Sequence, residues 1–384
     1  MLGINTNVNS LVAQQNLNGS QSALSQAITR LSSGNRINSA ADDAAGLAIA
    51  TRMQTQINGL NQGVQNTNDA VSLIQTTSSQ LSSLTSSLQR ISTLATQAAT
   101  GTLSSSDQAA AEKEVAQQIQ EVNRIAAQTN FNGKNLLDGS AGIVTFQIGA
   151  NVGQTVSLDL SQSLSAAKIG GGLVQSGTNV GTIQNLSLDA NGAATTAAQP
   201  AITSVNVLSD GKGGFTFTDQ NGQALSTTAV GAIFTTGTAA GTGTAVTNLT
   251  LATGATSGMT TAQASAAANM ISQINSVNAP PTVSSLNINN ATSANQAIVS
   301  VANALSTINN LQATLGATQN RLQGIAQTQQ ANSTNLSSAQ SQIQSADFAQ
   351  ETAALSKAQV LQQAGISVLA QANSLPQQVL KLLQ

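Results

Sequence analysis

Two lysines that each follow a glycine are the first places to look for chemistry in this 384-residue chain: Lys134 after Gly133, and Lys212 after Gly211. A phosphate-cradling loop needs a second glycine five residues ahead of the Gly-Lys pair, so that backbone N–H groups can close round the anion. Gln128 and Asn206 stand at those positions, and both lysines read as turn residues in solvent. Asp42-Asp43 is a pair of adjacent carboxylates that could hold a cation. The chain has no His to act as a base beside them, so they read better as acidic residues at a helix start, where the dipole favours negative charge. Asn-x-Ser/Thr triplets at Asn18, Asn185, Asn248, Asn290, Asn332 and Asn335 are expected by chance in a chain so rich in these residues. O-linked sugars in the middle of the chain are the better expectation, with no residue singled out. With no Cys and no His there is no thiolate, imidazole base or soft metal ligand. The expectation is no enzyme, no cofactor and no metal.

The charge pattern narrows the partners. Twelve basic and fourteen acidic residues leave a net charge of −2, with no basic run to grip a nucleic acid backbone. Only 7% of residues are charged, against roughly a quarter in ordinary globular chains. Amides and hydroxyls take their place, and these can be buried against a neighbour at the cost of one or two hydrogen bonds, whereas an unpaired charge costs several kcal/mol. Such a surface suits permanent contact with other copies. No run approaches the roughly 18 apolar residues of a membrane span, so membrane insertion is not expected. The first basic residue is Arg30, so the start lacks the charged region of a cleavable signal peptide, and secretion would need another route.

The elements that organise the chain are long helices. Val301, Ile308, Leu315, Leu322, Gln329, Leu336 and Ile343 recur at every seventh residue, and Ala304, Leu311, Thr318, Ile325, Asn332 and Ala339 fill the companion row. That is a coiled-coil seam with polar breaks, about 60 Å long as one helix. Its expected partner is the row Ile74, Thr77, Leu81, Leu84, Leu88, Ile91, Ala95 and Ala98, which covers about half its length; the remainder reads as contact surface for other copies. Asp107 to Thr129 predicts a further helix, antiparallel to the one before it. Val8, Leu11, Val12, Leu24, Ala27, Ile28 and Leu31 are expected to line one helix face that Gly34 terminates, with a new helix capped by Asn38-Ser39.

After the turns Asn130-Phe131-Asn132-Gly133 and Asp138-Gly139 the period changes to two. Val144, Phe146 and Ile148, then Val156, Leu158 and Leu160, predict a β-hairpin beside the helices. Residues 175–283 are rich in Gly, Thr and Ala, with alternating runs such as Ile202-Ser204-Asn206-Leu208 and a turn at Asp210-Gly211-Lys212-Gly213. They predict a β-rich domain inserted between two helical arms. The fold expected is mainly α, with long antiparallel helices from both chain ends forming a coiled-coil-like bundle, a β-hairpin and the insert. Three domains follow: 1–44 with 345–384, 45–174 with 284–344, and 175–283.

The run from Leu31 to Ala50, LSSGNRINSAADDAAGLAIA, resembles the junction segment of bacterial flagellins. Ile4-Asn5-Thr6-Asn7, the Asn130–Gly133 turn and Ala370-Gln371-Ala372-Asn373-Ser374-Leu375-Pro376-Gln377 are similar to that family as well, and the likeness covers roughly residues 1–165 and 285–384. The resemblance implies a filament subunit exported through the flagellar type III apparatus, found outside the cell in the flagellum and serving swimming. Its partners would be itself, as a helical homopolymer, and the flagellar export chaperone, cap and hook-junction proteins. It places subunit interfaces at Val8, Leu11, Val12, Leu24, Ile28, Leu31, Leu361, Val368, Leu369, Leu375, Val379 and Leu380, and the junction at Arg36, Ile37, Asp42, Asp43 and Gly46. Gln89, Arg90, Leu94, Gln97 and Glu114 resemble the segment that the host's Toll-like receptor 5 detects. Two other readings are a hook–filament junction protein, which shares the arms, and a secreted adhesin carried on the insert.

Overall fold

The structure is a computed structural model that describes residues 7–196, 199–239, 246–257 and 259–382. It divides into two compact units. The first is residues 1–68, 147–155 and 324–384; the second is residues 69–146 and 156–323. Helix α1 is Val8–Ser33, α2 Ala44–Ala99 and α3 Ser105–Gln128. Short strands β1 Asn130–Phe131 and β2 Lys134–Asn135 form a tight antiparallel hairpin, followed by β3 Gly142–Gln147 paired with β4 Thr155–Leu160. Then come β5 Asn179–Ile183, β6 Val205–Ser209, β7 Phe215–Asp219, α4 Thr227–Ile233, β8 Phe234–Ala239, β9 Val246–Leu251, α5 Thr261–Val277, α6 Ala291–Gln344 and α7 Phe348–Leu382. Long helices from both ends with small antiparallel sheets between them are the fold class expected.

In the first unit α1 and α7 pack antiparallel. Asn7 Nδ2 donates to the Ala372 carbonyl at 2.7 Å, Ser10 Oγ to Asn373 Oδ1 at 2.8 Å, and Gln362 pairs with Gln21. Ser10, Ala13, Leu17, Ser20, Leu24, Ala27 and Leu31 are the buried and half-buried row of α1, stepping by three and four; Glu351, Leu355, Ala358, Gln362, Gly365, Leu369 and Ala372 are the matching row of α7. The pair is a coiled coil whose fully buried apolar members are alanines. A Cβ on Gly365 would lie 3.2 Å from Leu17 Cδ1, so the backbones approach closely there.

Residues 44–68 of α2 and 324–344 of α6 are bridged by polar contacts. Ser333 Oγ donates to Asn61 Oδ1 at 2.9 Å, and Gln340 Nε2 reaches the Ala50 carbonyl at 3.3 Å and Gln54 Oε1 at 3.1 Å. The expectation that this half of the α6 seam lacks a partner in its own chain is therefore overturned: residues 44–68 of α2 supply it, with Ala50, Met53, Ile57, Leu60 and Val64 as their buried and half-buried row beside these polar contacts. The turn joining β3 to β4 closes on the same place. Asn66 Nδ2 donates to the Gln147 carbonyl at 2.8 Å, and Gln329 Nε2 donates to that of Ile148. Gly63 allows this approach, because a Cβ there would be 2.0 Å from the Ile148 oxygen.

In the second unit the apolar row from Ile74 to Ala98 is buried at every position, as are Val301, Ala304, Ile308, Leu315 and Leu322 of α6. Val115, Val122, Ile125 and Ala126 of α3 and Val156, Leu158 and Leu160 of β4 join the buried set. Glu112 Oε2 accepts from the Ile288 N–H and Gln108 Nε2 donates to the Ile288 carbonyl, both at 2.7 Å, fixing the chain before α6 to α3. Strands β5, β6 and β7 form an antiparallel sheet in that order, and β8 pairs with β9. Asp210 Oδ1 caps the β6–β7 turn by accepting from the Lys212 and Gly214 N–H groups at 2.7 and 2.8 Å. The inward face of β6 is Val205, Val207 and Ser209, one residue out of phase with the expected Asn206 and Leu208. The insert also holds a full helix, α5, which composition does not suggest. A capping box at Thr260 and Gln263 starts it, and Asn275 clamps both backbone groups of Leu249 at 2.8 Å.

Candidate functional site

Hydrophobic side chains on α1 and α7 fall into two sets. Leu24, Leu31 and Leu369 belong to the seam between the two helices and are half-buried there. Val8, Leu11, Val12, Ile28, Leu361 and Val368 face away from it, each between 48% and 67% exposed. The single apolar face expected on α1 is thus two faces. The seam closes with buried alanines and half-buried leucines, and further large aliphatic groups are left in water outside it. Phe348, Val360 and Ile366 add to that exposed set. Ile366 is not singled out in the sequence, and at 54% exposed it lies outside the seam although it stands three residues before Leu369. The side chains of Leu375, Val379 and Leu380, and residues Ile4, Asn5 and Thr6, lie outside the described residues.

The junction between α1 and α2 is the most densely bonded stretch of the first unit. Gly34 adopts φ +71°, the left-handed cap that ends α1. Asn35 then bridges to Ser345, the Arg36 N–H donates to the Gln344 carbonyl at 2.7 Å, and the Ala346 N–H donates back to the Gly34 carbonyl at 3.0 Å. Arg36 Nη2 also caps the C-terminal end of α6 at the Ile343 carbonyl, 2.7 Å away. Ile37 is buried. Asp42 Oδ2 accepts from the Ser39 hydroxyl and N–H, both at 3.0 Å, and Gln26 Nε2 donates to Oδ1 at 3.1 Å. These bonds, the Ser39 hydroxyl first, hold the Asp42 carboxyl down to about 2.

Helix α2 starts later than expected. Its cap is Asp43, whose Oδ1 accepts from the Gly46 N–H at 2.8 Å, and Asn38-Ser39 instead belong to the turn that wraps Asp42. Gly46 is confined, since a Cβ would meet Asp43 Oδ2 at 2.4 Å and Ile37 Cδ1 at 2.8 Å. Arg30 joins the turn to α7, with Nη2 3.5 Å from Asp42 Oδ1 and Nη1 3.4 Å from Glu351 Oε1. That triad is invisible in the sequence, where its members are 12 and 309 residues apart. The two carboxylates of Asp42 and Asp43 therefore cap and brace a turn, and no metal-binding group of three or more ligands occurs among the described residues.

In the second unit Gln89, Arg90 and Gln97 are exposed on α2, and Arg90 Nε pairs with Glu114 Oε1 of α3 at 2.6 Å. The hydrogen bond to Arg90 lowers the Glu114 carboxyl and raises the Arg90 guanidinium. Leu94 is only 3% exposed and packs in the core, so it is not available to a receptor on this surface. The row Leu81, Leu84, Leu88, Ile91, Ala95 claims that face of the helix, and Leu94 is carried inward with it. Among the described residues no helix is long and apolar enough to cross a membrane.

Comparison with known proteins covers most of the chain. Residues 4–142 match the bacterial flagellin N-terminal helical region, 172–277 the flagellin D2 domain, and 298–383 the bacterial flagellin C-terminal helical region. The B-type flagellin of Pseudomonas aeruginosa is 35% identical over all of both chains, and flagellin B of Vibrio cholerae is 34% identical over 100% of this chain and 99% of that one. The solved structure of FliC from Burkholderia pseudomallei is 60% identical, with a TM-score of 0.59, and covers 66% of this chain and 99% of its own.

Proposed function

The chain belongs to the bacterial flagellin family, and on that premise we propose that it polymerises into a flagellar filament serving motility, with the outward aliphatic side chains of α1 and α7 as its main subunit contacts. The observation that carries this reading is the set of large aliphatic side chains left over once the seam of alanines and half-buried leucines has closed: Val8, Leu11, Val12, Ile28, Leu361 and Val368 lie outside it and stay exposed. Soluble monomers seldom leave so many large apolar groups together on one helical pair unless another surface covers them. Leu375, Val379 and Leu380 extend the proposed interface. The low charge of the chain supports the same reading, because little has to be desolvated when copies meet.

The proposed domains are 1–44 with 345–384, 45–174 with 284–344, and 175–283. The glycine run at Gly170-Gly171-Gly172, beside which the D2 match begins, supports the inner boundary of the third. Export without a cleaved signal peptide, and contacts with an export chaperone, cap and hook-junction proteins, belong to the same proposal. Gln89, Arg90, Gln97 and Glu114 are the proposed contact for Toll-like receptor 5. Receptor-reporter activity should fall when Arg90→Ala is supplied as monomer, and an unchanged response would remove the patch from consideration.

The experiment for the main reading is limited proteolysis of the monomer at low concentration and of the polymer. The terminal helices should be cleaved in the monomer and protected in the polymer, as expected for segments that order on association. Equal protection in both states would count against it.

A further inference from the structure

We infer that the insert carries a binding cleft for a neutral saccharide, formed where the outer side of β5, the C-terminal half of α5 and the start of α6 meet. The cleft has a volume of about 380 Å³ and lies wholly within the second unit. Its apolar lining comes from Val180, Val277, Ile298 and Val299, with the thioether of Met270. Its polar lining includes the primary amides of Gln184, Gln273 and Asn295. Among the described residues, none of those three side chains makes a hydrogen bond within the chain.

The chemistry follows from that lining. A primary amide presents donors and an acceptor together, which is what a sugar hydroxyl, itself both donor and acceptor, requires. Aliphatic walls suit the C–H faces of a pyranose ring. None of the lining residues is ionisable, so a charged ligand would lose its hydration with no opposite charge to meet it. The wall is also set in place beforehand. At Gly181 a Cβ would lie 2.5 Å from Ile274 Cγ1, so β5 and α5 are in direct contact there, and Thr182 Oγ1 is tied to Asn206 Oδ1 at 2.8 Å. An open cleft of this size, lined in similar measure by apolar groups and by amides and a hydroxyl, takes a mono- or disaccharide.

Binding is a property of the single chain and stands apart from polymerisation, so the test uses the full-length monomer. Saturation-transfer NMR would be recorded with glucose, galactose, mannose, N-acetylglucosamine and lactose, and with glucuronate as the charged counterpart. Transfer is expected to at least one neutral sugar and to be several-fold weaker to glucuronate. The double variant Gln273→Ala/Asn295→Ala should weaken the binding about tenfold, and the single variant Gln184→Ala, at an exposed position that folding tolerates, about fivefold. Circular dichroism melting checks that each variant is folded. No transfer from any neutral sugar, transfer unchanged in Gln184→Ala, or glucuronate bound as well as glucose would each overturn the assignment.

Discussion

Leu361 offers the sharpest test of the assembly surface, because its side chain is still 48% exposed once α1 and α7 have paired and would be covered in the polymer. Full burial of a leucine is worth roughly 1.5–3 kcal/mol, so covering the exposed half contributes about 1 kcal/mol per subunit. Leu361→Ala should therefore raise the critical concentration for polymerisation about fivefold. Leu361→Asp adds a carboxylate that loses its water without a partner, several kcal/mol in the opposite direction. Its critical concentration should rise by about a thousandfold or more, enough to abolish filaments under ordinary conditions. The monomer should barely notice either change, since exposed substitutions usually stay within about 0.5 kcal/mol. Pelleting assays across a concentration series read the first quantity and thermal melting of the monomer reads the second. An Asp variant that polymerises at the wild-type concentration refutes the interface. One whose monomer melts many degrees lower shows instead that Leu361 stabilises the chain itself.

The remaining predictions concern the first unit. Gly63→Ala would bring a methyl group within 2.0 Å of the Ile148 carbonyl and should destabilise the monomer by about 1–3 kcal/mol, read as a lower melting temperature; wild-type melting would mean that the hairpin turn does not close on α2. Asp42, held down to about 2 against an ordinary 3.8, contributes stability that is complete above about pH 4 and is lost as pH falls from about 4 to 2. Asp42→Asn should remove that pH dependence, so the difference in melting between variant and wild type should shrink across this window; a difference that stays constant would show that the carboxylate is not the cause.

What can be read in the sequence depends on whether an interface is apolar. The row from Ile74 to Ala98 and the first half of the α6 seam are legible residue by residue, because leucine and isoleucine at steps of three and four mark a buried helix face and little else. The contact of Asn61 with Ser333 and that of Gln54 with Gln340 are not, since amides and hydroxyls look the same in the sequence whether they face a partner or water. Helix α5 is hidden by its alanines and serines, which blend into the Gly-, Thr- and Ala-rich insert around it. Leu94 passes for a surface residue in the sequence because a family resemblance marks a segment, while burial depends on the phase of the helix within it. At the exposed stripe most of the residues are identifiable from the chain alone. Their division into an inward and an outward set needs the register of α7, which appears only once Asn7 is seen beside Ala372.

The pairing of Asn35 with Ser345 has a consequence for the order in which the two chain ends come together. Asn7 and Ala372 are 365 residues apart, and closing that loop from a flexible chain costs about 5 kcal/mol in entropy. Once the junction has brought Gly34 and Ala346 together, the contact between Arg30 and Glu351 closes a loop of only about ten residues, at about 2 kcal/mol. Each later contact, from Gln21 with Gln362 to Ser10 with Asn373, then adds only a short further step. The two terminal helices should accordingly close like a zip from the junction outward and open from the free ends inward. The junction turn thus carries kinetic weight out of proportion to the surface it buries.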